Sequence, residues 1–237
     1  DVPVIDGLGL AVAASGLKYD NRHDLLLMTL CKTTTVAGVF TQSDTAAAPV
    51  IWSRYVLASG RAGAILTNAG NANAFTGAKG FKSLVNLADS LSLQLSEKNK
   101  IDDENPIKIR PSDILFACTG TIGEKFPCDD IAAQIPNLTS KIKYTQNKFV
   151  WMKAALAMMT TDKKPKLAME ECKIGNTLVK IYGIAKGSGM IQPNMATTLG
   201  YIFTDADISN DVLKKLLKKN IENTFNAISC DGDISVT

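Results

Sequence analysis

Short apolar, β-branched runs bounded by turn residues recur along the chain at residues 35–40, 62–67, 114–117, 178–183 and 198–203, and each reads as a strand. Between them the apolar positions change to helical spacing. Leu84, Leu87, Leu91 and Leu95 share one face, and residues 149–159 form a segment rich in Ala and Met. Further on, Val212, Leu213, Leu216, Leu217 and Ile221 alternate with Lys214, Lys215, Lys218 and Lys219, giving an apolar stripe backed by a basic face. Strands that interleave with helices predict an α/β fold without an obvious linker. The charged stretches 97–108, which holds Pro106, and 141–148 are the expected exposed loops.

Composition narrows the chemistry. A chain of 237 residues is long enough for one large domain or two small ones with a substantial core. A net charge of +3 does not call for a polyanionic partner. The lysines of 212–221 lack the aromatic platform that nucleic-acid binding uses, so they read as a solvated face, with no nucleic acid and no membrane as partner. No run reaches the roughly 18 apolar residues of a membrane span. Five cysteines, an odd number without a Cys-x-x-Cys pair, argue for a reducing compartment and against a disulfide scaffold or a thiolate zinc site. The single histidine, His23, rules out a two-histidine metal motif within this chain. It lies in a polar stretch with no nucleophile motif beside it, and reads as a surface or structural residue.

The segment Lys186-Gly187-Ser188-Gly189-Met190-Ile191-Gln192-Pro193-Asn194-Met195-Ala196-Thr197-Thr198-Leu199 holds the strongest chemical signal. Gly187 and Gly189 do not fit the dinucleotide-binding or P-loop spacing, and Ser188 lacks the flanking glycines of a nucleophile elbow. The segment instead places an Ala-Thr bond between a glycine-rich turn and an apolar run. A threonine hydroxyl is a weak nucleophile until a base sits beside it, and cutting the bond in front of it turns its own α-amino group into that base. With a reference pKa of roughly 7.7–8.0, that amine is partly unprotonated near neutral pH. Cleavage would leave Ala196 ending one fragment and Thr197 beginning the next.

This segment resembles the cleavage site of the ornithine acetyltransferases of arginine biosynthesis. Other blocks agree in the same order: Asn68-Ala69-Gly70-Asn71-Ala72-Asn73-Ala74 with Thr76-Gly77, then Cys118-Thr119-Gly120-Thr121-Ile122-Gly123, then Thr160-Thr161-Asp162. The similarity runs from about Ala48-Pro49-Val50 to Asp231-Gly232-Asp233. It implies a helix-sheet-sheet-helix sandwich of the self-cleaving type. It also implies a chain divided into an α segment, 1–196, and the start of a β segment, 197–237.

The resemblance implies roles as well. Thr197 is the nucleophile that takes acetyl from N-acetylornithine and passes it to glutamate in a ping-pong sequence. Thr119 and Gly120 match the pair that stabilises the oxyanion. Lys186 and a threonine of the Thr-Thr-Asp block, Thr160 in preference to Thr161, match substrate contacts, as does Thr197 itself. No cofactor is expected, and acetyl-CoA serves some members as a second acetyl donor. Expected partners are the carboxy-terminal β chain and a second copy, in an α2β2 heterotetramer. The expected location is the cytoplasm, or the mitochondrial matrix in a eukaryote. Cys118 reads as buried packing, and Asn68, Asn71 and Asn73 read more readily as turn-builders than as site donors.

The family continues beyond the block that ends here, with Ser-Thr-Asn-Asp where this chain has Ser235 followed by Val236. The sequence is therefore expected to be the front part of a longer protein. Two other functions compete: a related self-cleaving aminopeptidase or amidase, with water as acceptor, and a non-catalytic assembly subunit.

Overall fold

The computed structural model describes residues 4–102, 108–191, 198–232 and 236. In chain order its elements are β1 (Leu8–Ala13), β2 (Leu25–Leu30), α1 (Ala48–Leu57), β3 (Ala64–Asn71), α2 (Gly77–Asp102), β4 (Ile114–Thr121), α3 (Cys128–Ser140), α4 (Lys148–Ala157), β5 (Lys166–Ile174), β6 (Thr177–Lys186), β7 (Leu199–Thr204) and α5 (Asn210–Ile221). They build two sheets, one in the order β1-β2-β3-β4 and the other β5-β6-β7. The α/β expectation and the two-sheet sandwich both hold. The boundary expected at residues 196 and 197 lies outside the described residues.

The first sheet is covered on both faces, which explains its composition. Leu25, Leu27, Ala64, Leu66, Ile114 and Phe116 face α2 and α3, where they meet Leu84, Leu87, Leu91, Leu95, Ile131 and Ile135. Leu8, Leu10, Leu26, Met28, Ile65 and Leu115 face the other way, onto α4 and onto Tyr182 and Ile184 of the second sheet. A strand buried on both faces needs no polar alternation, so β2 reads Leu-Leu-Leu-Met-Thr-Leu. The pair β3 and β4 is parallel, with Ala69 opposite Thr119 and Gly70 opposite Gly120. At the edge of this sheet α1 replaces a missing strand. Trp52 donates to the Ile114 carbonyl at 2.8 Å, while the Ser53 hydroxyl bonds both the carbonyl and the N–H of Phe116, at 3.0 and 3.1 Å. Backbone groups that would otherwise invite another chain are thereby satisfied.

Two sequence expectations need correction. Residues 35–40 form no strand: the Val36 N–H bonds the Gly60 carbonyl, Thr35 donates to the Ile208 carbonyl, and Asn210 donates to the Val36 carbonyl. The segment is satisfied by loops and side chains, without a neighbouring strand. Within 97–108, α2 continues to Asp102, since Glu97, Lys98 and Lys100 are residue types that favour helix. Residues 103–107 lie outside the described residues. The apolar stripe of α5 is covered only in part: Ile221 is buried, while Val212 and Leu216 are exposed.

The second sheet turns its inner face to the first. Tyr182, Ile184 and Lys186 point inward along β6, and Tyr201 and Phe203 of β7 join Tyr182 and Ile184. Phe225, in the short turn after α5, lies over Gly200 on the outer face, 3.0 Å from where a β-carbon would stand. Trp151 of α4 joins the layers, with its ring 5.6 Å from Tyr182 in an edge-on arrangement and 5.5 Å from Phe203.

Trp151→Ala is therefore expected to lower stability by about 3–5 kcal/mol, read from urea unfolding. Trp151→Phe should lose much less, because the indole N–H has no hydrogen-bond partner in the described structure. Equal losses in the two variants would show that the ring's contacts are not what matters.

Candidate active site

Two strand ends meet at the candidate site. β4 brings Thr119 and Gly120 to the end of the first sheet, and β6 brings Lys186 to the end of the second, opposite Leu199 at the start of β7. The Lys186 side chain crosses the space between the sheets and donates to the Thr119 hydroxyl oxygen at 2.8 Å. Both residues are buried, at 3% and 2% exposure. A lysine so enclosed has its pKa lowered, first by the loss of water and also by Lys166; the charge of Asp162 opposes both.

Asp162 is the pivot. Its buried carboxylate accepts from the Gly187 N–H at 2.8 Å and from the Lys166 ammonium. Burial pushes its pKa upward, but the hydrogen bonds from Lys166 and Gly187 and the charges of Lys166 and Lys186 outweigh that, holding it below the ordinary carboxylate range. The same carboxylate orders the Thr-Thr-Asp loop. The Thr160 N–H reaches Asp162 at 3.5 Å, and the Thr161 hydroxyl is paired with Ser188 at 2.8 Å. The Thr160 hydroxyl bonds nothing among the described residues.

Glycine is required where the strand ends crowd. Gly120 has φ of +128°, and a β-carbon there would lie 2.2 Å from the backbone of Gly70. The turn after Lys186 is held from elsewhere in the chain: Met190, with φ of +51°, and Ile191 donate their N–H groups to Asp231 at 2.6 and 2.9 Å. Cys230 adds its N–H to the Ile191 carbonyl at 2.8 Å and its thiol to the Ser188 carbonyl at 3.1 Å. The sheets are also joined beside the site by the Thr67 and Tyr201 hydroxyls, 2.7 Å apart.

Among the residues singled out from sequence, Thr119, Gly120, Lys186, Thr160 and Thr161 share this region. Ala196 and Thr197 lie outside the described residues. Cys118 is buried and its pKa is pushed up by desolvation, which keeps it a thiol and fits packing. Asn68 bonds the Asn71 carbonyl, Asn73 bonds the Gly80 carbonyl, and Asn71 bonds Glu124, so all three brace the chain around the end of β3. His23 is half-buried, and its pKa is lowered by burial first and then by Lys153 and Lys141. Sequence reading gave no role to Asp162, Asp231 or Tyr201. Only Asp162 had a local signal, as one acid followed by Lys163, Lys164 and Lys166. Among the described residues, no group of His, Cys, Asp and Glu side chains is placed to hold a metal ion, and no helix is long and apolar enough to cross a membrane.

Asp162 offers a direct test. Its folded pKa is depressed below the unfolded value near ~3.9, so its stabilising contribution is present above that pH and is lost as pH falls through the folded pKa. Asp162→Asn should lower stability at neutral pH by roughly 1–3 kcal/mol and flatten the acid limb of stability against pH. Denaturant unfolding across a pH series reads both, and an unaltered acid limb would remove Asp162 from the account.

Comparison with known proteins matches this geometry to a family. The chain is 43% identical over 237 residues to the arginine biosynthesis bifunctional protein ArgJ of Bradyrhizobium diazoefficiens, covering all of this chain and 54% of that protein. It thus spans about half the length of the curated relatives it matches. Among solved structures, the ornithine acetyltransferase of Mycobacterium tuberculosis complexed with ornithine superposes with a TM-score of 0.67 at 30% identity, over 79% of this chain and 91% of that one. The arginine biosynthesis bifunctional protein argJ of Bacillus halodurans gives 0.69 at 28%, over 80% and 91%. The ArgJ family model matches residues 9–237, and the chain belongs to the ArgJ family.

Proposed function

We propose that the protein containing this chain is an acetyltransferase that moves the acetyl group of N-acetylornithine to glutamate through an acetyl-threonine intermediate on Thr197. The observation that carries the reading is the buried Lys186 to Thr119 hydrogen bond of 2.8 Å, in a chain that belongs to the ArgJ family over residues 9–237. Because Lys186 donates to the Thr119 oxygen, the Thr119 hydroxyl proton is free to point elsewhere. A carbonyl oxygen turning negative is the natural acceptor, and a donor fixed in a water-poor site acts on it without reorganisation.

The reaction begins with self-cleavage. The Thr197 hydroxyl attacks the Ala196 carbonyl, the Ala196–Thr197 peptide bond breaks to give an ester, and water hydrolyses that ester to leave a free carboxylate on Ala196 and a free amine on Thr197. That amine then takes the proton from its own hydroxyl as the oxygen attacks the acetyl carbonyl of N-acetylornithine. Ornithine leaves with the proton. The amine of glutamate attacks the acetyl-threonine ester, restoring the hydroxyl. Each tetrahedral intermediate places its oxyanion before Thr119 and Gly120. Thr160, whose hydroxyl is unengaged among the described residues, and the Lys186 ammonium hold the substrate's polar end. In the same reading acetyl-CoA is a second acetyl donor, the segments ending at Ala196 and beginning at Thr197 stay together, and two such pairs assemble as α2β2 in the cytoplasm.

Thr197→Ala should abolish both cleavage and acetyl exchange, read by denaturing electrophoresis with amino-terminal sequencing and by transfer of labelled acetyl from N-acetylornithine to glutamate. Complete cleavage in that variant would point to an outside protease and end the mechanism. Thr119→Ala should lower kcat by about 10²–10³-fold with a small change in KM. An unchanged kcat with a raised KM would reduce Thr119 to a binding contact.

A further inference from the structure

Beside the candidate site lies an open cavity of about 540 Å³, lined by Thr161, Lys163, Lys164, Lys166, Gly187 and Ser188. Its volume is within the range of small-molecule sites. Its charge is one-sided: among the described residues the lining holds three lysines and no carboxylate. Lys166 is neutralised by Asp162. Lys163 and Lys164 are exposed and make no ion pair among the described residues, so two positive charges stand uncompensated over the opening. The wall is built by the same contacts that build the site. Gly187 follows Lys186 directly and is tied to Asp162, and Ser188 is tied to Thr161.

We propose that this cavity is an anion subsite in which Lys163 and Lys164 receive the side-chain carboxylate of the acceptor amino acid. The inference rests on the function proposed above and adds how one site serves two substrates of opposite character. Donor and acceptor share an α-carboxylate, but one side chain ends in an ammonium and the other in a carboxylate. A rigid cationic clamp would reject the first, and a neutral wall would not select the second. Lysines on exposed flexible stems meet both demands, swinging toward a carboxylate and out into water when an ammonium enters. The neighbouring Thr161 and Ser188 hydroxyls supply hydrogen bonds that suit either end.

The test uses the full-length enzyme and the double variant Lys163→Gln/Lys164→Gln. The ratio of KM for glutamate to KM for N-acetylornithine should rise about tenfold at low ionic strength, and the difference from wild type should shrink at high salt. With glutamine as acceptor the two proteins should differ less than twofold. Lys163→Arg/Lys164→Arg, which keeps the charge, should stay within threefold of the wild-type ratio. An unchanged ratio in the glutamine double variant, or an equal rise in both constants, would overturn the subsite. Calorimetric titration of glutamate into both proteins keeps this outcome separate from the enzymatic reading. Affinity lost with the lysines supports the subsite even if wild type transfers no acetyl, in which case the proposed function is what fails; equal affinity overturns the subsite whatever the activity.

Discussion

With only 3% of its surface exposed, Lys186 carries an ammonium group into the space between two sheets, where an uncompensated charge is several kcal/mol uphill. The surrounding structure is arranged to offset that cost. Thr119 takes one of its hydrogen bonds, and Asp162 supplies the opposing charge. Asp162 is in turn fixed by Lys166 and by the Gly187 N–H. The strand end, the Thr-Thr-Asp loop and the glycine turn thus form one network, and none of the three can shift without exposing or stranding a charge. Such coupling is what a site needs if a hydroxyl is to be aimed to within a fraction of an ångström.

The network also depends on the two sheets keeping their separation. Trp151 wedges α4 against Tyr182 and Phe203, and the Tyr201 and Thr67 hydroxyls bond across the gap. On the helix side, the leucine face of α2 packs in one cluster with Phe116 and Ile114 of β4. A close-packed interior transmits displacement instead of absorbing it. A loss of volume under α2 therefore has a route to Thr119.

How much of this could be read from the chain depended on whether the determining contact was local. The face of α2 and the apolar runs of β3, β4, β6 and β7 declare themselves by periodicity or by β-branched composition. Several others do not. β1 and β2 are apolar on both faces and show no alternation, β5 is mostly exposed and charged, and α3 carries Pro136 within it, which ordinarily argues against a helix. Residues 35–40 show the reverse case, since Val36 and Val39 look like a strand until Asn210 and Gly60 are seen to take the backbone bonds. At the site, Thr119, Gly120 and Lys186 were legible through their motifs, but their contact was not, because it joins residues 67 positions apart. Asp231 clamps the turn from 40 positions away, and no local pattern announces such a reach.

The hydrogen bonding around residues 186–199 gives a backbone break there an unusual character. β6 and β7 are paired antiparallel from Ile181 opposite Thr204 to Lys186 opposite Leu199, and Asp231, downstream of β7, grips Met190 and Ile191, upstream of it. A chain severed between Ile191 and Thr198 would keep every one of these bonds. Its two pieces would be threaded through a common sheet and could not drift apart unless that sheet melted. Nicking would thus change covalent connectivity without changing the particle. The severed protein would elute, sediment and unfold as a single body, and its second chain would be revealed only in denaturant.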